Sequence, residues 1–82
     1  MQIITTDFYP DQVNVRYTFK MENGGTGMAI ANYTPSNGRI SHSIPEYIPY
    51  ETKREVAQYM KDAWEKHYSA KMIEAMTKNI PQ

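Results

Sequence analysis

Polar and apolar residues alternate strictly early in the chain. Val13, Val15, Tyr17 and Phe19 fall on one side of an extended backbone; Asn14, Arg16, Thr18 and Lys20 fall on the other. A period of two is that of a β-strand with one buried and one solvated face. Asn23-Gly24 follows, a strong hairpin signal because a type I′ turn needs positive φ at both central residues. A two-residue loop there pairs Glu22 with Gly25. It sets Phe19 opposite Met28 and Tyr17 opposite Ile30, so apolar residues meet across the ladder.

The next strand is expected from about Thr26 to Thr34, ending at Pro35-Ser36-Asn37-Gly38-Arg39. A two-residue loop at Asn37-Gly38 turns Ile40 and Ile44 away from the core. A three-residue loop, Ser36-Asn37-Gly38 with Gly38 left-handed, pairs Ile44 with Ile30, His42 with Asn32 and Ile40 with Thr34, and keeps both isoleucines inside. Upstream, Gln2–Tyr9 is rich in Ile, Thr and aromatics, and Tyr9-Pro10-Asp11-Gln12 reads as a type I turn. That turn pairs Phe8 with Val13 and Ile4 with Tyr17. The expected sheet is an antiparallel meander of three to four strands in the order 1-2-3-4.

Pro45 to Tyr50 reads as a stiff, extended connector, because each proline disfavours helix at its predecessor. Thr52-Lys53-Arg54-Glu55 then has the form of a capping box, predicting a helix with Thr52 as N-cap. Val56, Tyr59, Met60, Ala63 and His67 share one stripe, with Trp64 on its flank. The later apolar residues, Met72, Ile73, Met76 and Ile80, lie roughly 180° around the helix from them. A straight helix over 52–78 is about 40 Å long, whereas a seven- or eight-residue strand spans ~25 Å. Either the helix kinks or breaks near 67–70 and folds back, or its end docks on a partner, for which a second copy is the simplest choice. The fold class predicted is α+β: a β-meander packed on one face by a C-terminal helix.

Length and composition narrow the function. The 82 residues suit one small domain, 1–82. Nine Lys and Arg balance nine Asp and Glu, which disfavours a strongly basic nucleic-acid module. Cysteine is absent, excluding disulfides, thiolate metal sites and cysteine nucleophiles. Met1–Tyr9 lacks a signal-peptide pattern, and no apolar run reaches the ~18–20 residues of a membrane span. The expectation is a cytoplasmic protein without membrane contact.

Candidate chemistry is sparse. Asn23-Gly24-Gly25-Thr26-Gly27 lacks the lysine and following helix of a phosphate loop, and the hairpin accounts for it; Gly27 marks a bulge or a close approach. His42 and His67 lie in the same sheet–helix layer and could form an acid/base couple between chains. The plainer reading is a half-buried imidazole bonded to a neighbour such as Asn32. The carboxylates are scattered, and the serines lack a nucleophile-elbow context. No catalytic residue, metal site or cofactor is expected.

The solvated sheet face is expected to carry Asn14, Arg16, Thr18, Lys20, Ala29, Ala31, Tyr33, Arg39, Ser41 and Ser43. Arginine and tyrosine on a flat sheet suit single-stranded nucleic acid, and a three-stranded sheet backed by one helix resembles in outline the DNA-binding arms of some phage integrases. Seven tyrosines and six methionines suit a protein interface better. In overall type, a small, neutral, cysteine-free chain resembles accessory or inhibitor proteins of phages and mobile elements. The resulting expectation is a non-enzymatic protein-binding module that occludes a partner's surface through Arg16, Tyr33, Arg39, Tyr47, Tyr50, Tyr68, Met72 and Met76. It is expected to homodimerise through its C-terminal segment; nucleic-acid binding through the outer sheet face is the alternative.

Overall fold

A computed structural model describes the backbone of residues 1–78 and the side chains of residues 1–71. It has four strands, β1 (Gln2–Phe8), β2 (Val13–Lys20), β3 (Thr26–Thr34) and β4 (Arg39–His42). A 3-10 turn over Pro45–Tyr47 and one helix, α1 (Tyr50–Lys78), follow. The strands form an antiparallel sheet in the order β1-β2-β3-β4, with α1 against one face. The architecture is the α+β meander read from the sequence.

The core is built on β2, whose Val13, Val15, Tyr17 and Phe19 are all buried. Ala29 and Ala31 of β3, Ile48, and Val56 and Met60 of α1 complete it. Cross-strand rows on this inner face run Phe8–Val13–Tyr33–Ile40, Thr6–Val15–Ala31–His42 and Ile3–Tyr17–Ala29.

The first hairpin departs from the expected register by one residue. Phe19 pairs with Gly27 and Tyr17 with Ala29, not with Met28 and Ile30. The loop holds three residues: the Met21 N–H donates to the Gly25 carbonyl at 2.8 Å and the Gly24 N–H to the Met21 carbonyl at 3.0 Å. Gly24 alone in that turn takes positive φ, at 88°, so the Asn-Gly pair serves a turn with one left-handed residue. Side-chain volume explains why this register wins. A Cβ on Gly27 would stand 2.7 Å from Phe19 Cζ, so the ring occupies the space a side chain there would need. The Tyr17 hydroxyl lies 2.8 Å from Nδ1 of His42 on β4, a reach across β3 where Ala29 and Ala31 stand on that face. Two rings on β2 thus require small residues on β3, and Met28 and Ile30 turn outward, 60% and 46% exposed.

The second hairpin is also shifted, in the compensating direction. Its loop holds four residues, Pro35–Gly38, closed by the Gly38 N–H donating to the Thr34 carbonyl at 2.9 Å. Gly38 is left-handed, as expected, at φ 72°. Ile40 pairs with Tyr33 and His42 with Ala31, rather than with Thr34 and Asn32. Because the two shifts cancel, Ile40 and Ile44 still pack against the core. On β1, Phe8 pairs with Val13 as expected, but a bulge passes the register from Ile3–Tyr17 to Thr5–Arg16. Ile4 is left unpaired and 48% exposed, and Ile3 packs inward in its place.

The connector is not extended throughout. Ile44 and Ile48 avoid helical angles, as residues before proline do, but Pro45 opens a 3-10 turn and Ile48 is buried below it. The helix begins at Tyr50, two residues before Thr52, with the Lys53 N–H donating to the Pro49 carbonyl at 3.1 Å. Proline at a helix entrance supplies a preset φ and loses no hydrogen bond, and this entry displaces the capping box. The helix runs unbroken through 67–70 to Lys78, so the break considered from the sequence does not occur there. Its 29 residues span about 43 Å, and the molecule is 61 Å along its longest axis. The side chains of Met72, Ile73, Met76 and Ile80, on which the apolar reversal rests, lie outside the described residues.

Candidate interaction surfaces

Three surfaces gather the chemistry-bearing residues. The first is the sheet face opposite α1, which no other described element covers. Register builds it in rows: Asp7–Asn14–Asn32–Ser41, then Thr5–Arg16–Ile30, then Gln2–Thr18–Met28, with Lys20 and Arg39 at opposite ends. Met28, Ile30 and bulged Ile4 are its exposed apolar residues. Arg16, Lys20 and Arg39 outnumber Asp7, the only carboxylate on these strands. Asn14 Oδ1 is buried with no hydrogen-bond partner among the described residues. The β3 contribution differs from expectation: Ala29 and Ala31 are core residues and Tyr33 packs toward the core, so this face carries no aromatic ring from β3. Both sheet edges are blunted against strand addition, β1 by its bulge and β4 by its four-residue length.

The second surface surrounds the entrance of α1, where Tyr47 and Tyr50 are 59% and 73% exposed. Both stand in solvent as expected, Tyr47 in the 3-10 turn and Tyr50 at the first position of α1, on either side of buried Ile48.

The third surface lies where the β1–β2 turn meets the helix. The turn is held by the Tyr9 N–H donating to the Gln12 carbonyl at 2.8 Å. Phe8 stacks on His67 with ring centroids 4.0 Å apart and planes 7° from parallel. Around that stack, Tyr9 and Pro10 on the turn and Trp64, Tyr68 and Lys71 on the helix line a groove of about 240 Å³. The sequence placed Trp64 and Tyr68 on the helix but gave no reason to join them to Tyr9-Pro10. The available signal was spacing, since Trp64, Tyr68 and Lys71 lie on neighbouring turns of one helix face.

Within one chain the two histidines stand apart. His42 sits on the β4 edge, bonded to Tyr17 rather than Asn32, and His67 stacks on the opposite edge strand. Burial, then the nearby Lys53 charge, lowers the His42 pKa below its ordinary value. Burial of Tyr17 pushes its hydroxyl up to about 12. Near neutral pH these effects favour a neutral phenol beside a neutral imidazole, a structural bond tying β2 to β4. A second such bond joins Thr6 Oγ1 to the Tyr59 hydroxyl at 2.7 Å and ties β1 to the helix. Among the described residues no three His, Asp or Glu side chains gather as a metal site would require, and no helix is long and apolar enough to cross a membrane.

Of the eight residues expected to contact a partner, Arg16 and Arg39 lie on the open sheet face, Tyr47 and Tyr50 at the helix entrance, and Tyr68 in the aromatic groove. Tyr33 is withdrawn to the core side. The side chains of Met72 and Met76 lie outside the described residues. No protein-family model, no curated protein and no solved structure matches this chain.

Proposed function

We propose that this chain is a small, non-enzymatic protein-binding module that acts by covering a partner's surface with its open sheet face. The observation that carries the reading is the set of exposed apolar residues on this face, Met28 and Ile30 on β3 and Ile4 on β1, with Arg16 between them and Lys20 and Arg39 at the two ends. Apolar side chains grouped within a polar surround mark contact sites, and arginine beside methionine suits interface composition. Action as an accessory or inhibitor protein of a phage or mobile element is consistent with this occluding mode.

Nucleic-acid binding through the same face is the competing reading. Its positive excess favours phosphate contact, but with Tyr33 turned inward the face lacks the stacking ring that single-stranded recognition uses. Homodimerisation through the C-terminal segment belongs with the protein-binding reading: α1 continues for eleven residues beyond His67, which stacks on Phe8 of β1, and a second copy would cover that extension.

The test is a Met28→Glu/Ile30→Glu double variant compared with the native chain in chemical cross-linking and affinity capture. Its unfolding should differ little from native, as exposed substitutions usually do, while the captured partner is lost. Retention of the same partner by the folded variant overturns the reading. So does binding of a single-stranded oligonucleotide by the native chain at ~150 mM salt, where weak electrostatic contacts are screened. Light scattering of the full chain and a Met72→Lys/Met76→Lys variant tests the dimer; identical concentration-independent monomer masses refute it.

A further inference from the structure

We infer that the groove between the β1–β2 turn and α1 binds a proline-rich peptide in the polyproline II conformation, with an acidic residue beside the prolines. The site is separate from the open sheet face and does not depend on that reading. The Phe8–His67 stack fixes one wall position between strand and helix. Tyr9 and Pro10 stand on one side, and Trp64 and Tyr68 on the other. Tyr9 and Tyr68 are 46% and 57% exposed, so large ring areas face solvent without being needed to close the core.

Three properties select the ligand. An aromatic lining suits the rings of successive prolines, and a polyproline helix arrives already ordered, so little conformational entropy is lost on docking. Its backbone makes no internal hydrogen bonds, leaving carbonyls for donors such as the Trp64 indole N–H and the two tyrosine hydroxyls. Among the described residues, the lining has one formally charged side chain, Lys71, and no carboxylate or side-chain amide. A lysine one turn beyond Tyr68 favours an acidic residue at that end of the peptide. Among the described residues, a lining without carboxylate or amide suits a peptide better than a carbohydrate, whose hydroxyls commonly pair with such groups, and Lys71 alone is too little for a phosphate backbone. At about 240 Å³ the groove is smaller than a drug-sized pocket, which suits a short stretch of peptide.

The chain holds its own reporter, because Trp64 is its only tryptophan. Titrating the full chain with a synthetic decaproline peptide, and with the same peptide ending in two glutamates, should change Trp64 fluorescence saturably in the sub-millimolar range. The acidic peptide should bind more tightly. Tyr68→Ala should weaken both peptides about tenfold or more, the loss expected for an aromatic anchor. Lys71→Glu should remove the preference for the acidic peptide, and Glu51→Gln, exposed near the other end of the helix, should leave affinity unchanged. The inference is overturned if neither peptide gives a saturable change at several millimolar, or if Tyr68→Ala binds as the native chain does. A larger response to cellohexaose than to either peptide also overturns it.

Discussion

Replacing Gly27 with alanine tests the size matching between β2 and β3 directly. Gly27 lies in a strand without positive φ, so alanine meets no backbone strain there. On chain entropy alone it should stabilise the fold by about 0.4–1 kcal/mol. The opposing effect is steric: the new Cβ would lie 2.7 Å from Phe19 Cζ and 3.0 Å from Cε1. The ring would have to move by roughly an ångström to restore ordinary contact, yet Phe19 is 2% exposed and packs 6.0 Å from the Tyr17 ring. Overpacking of this kind costs about 1–3 kcal/mol, so the net expectation is a loss near 1 kcal/mol, or ~4–8 °C in Tm for a domain of this size. Urea unfolding of Gly27→Ala, Phe19→Leu and the double variant completes a mutant cycle. The double variant should be more stable than the sum of the single losses implies, because leucine vacates the space alanine needs. A Gly27→Ala protein more stable than native, with no coupling to Phe19, refutes the reasoning.

The remaining predictions concern the bonds that tie the sheet together and the helix that covers it. The Tyr17 pKa is raised above its unfolded value; its contribution is therefore intact below pH ~10 and lost as pH rises toward about 12, and Tyr17→Phe should flatten denaturation midpoints over that window. The His42 pKa is lowered, so unfolded chains take up the proton first and stability should fall as pH drops below ~6.5; His42→Gln should lessen the fall, and an unchanged pH profile counts against a neutral imidazole. Met60→Ala, at a fully buried position under the sheet, should cost about 2–5 kcal/mol in urea unfolding, whereas a loss below ~1 kcal/mol would mean that the helix is weakly docked.

The meander and its covering helix were legible because they rest on long patterns: the alternation of Val13 to Phe19, glycine at both hairpin turns, and the Val56–Met60–Ala63–His67 stripe. The facing of β3 was not. Hydropathy places Met28 and Ile30 inside, but the Tyr17 and Phe19 rings fill that space, and volume overrides the more favourable transfer energy. Local signals at the helix entrance also conflicted: the Thr52–Glu55 pattern favours one start and Pro49 an earlier one, and the burial of Ile48 accompanies the second. The exposed positions of Tyr47, Tyr50, Arg16 and Arg39 followed from alternation and the connector. The aromatic groove did not, since it joins side chains more than fifty residues apart whose meeting depends on where the helix crosses the sheet.

The two hairpin turns have a consequence for how this chain can change. Each loop length sets the facing of the strand beyond it, so a one-residue insertion or deletion in one turn alone would invert everything downstream. Paired changes, one in each turn, would invert β3 alone and return β4 to its present orientation. The middle strand is thus exchangeable between its two faces at the cost of two small indels, provided that the rings of Tyr17 and Phe19 shrink with them. Turn length and ring size should therefore vary together among descendants of this sequence.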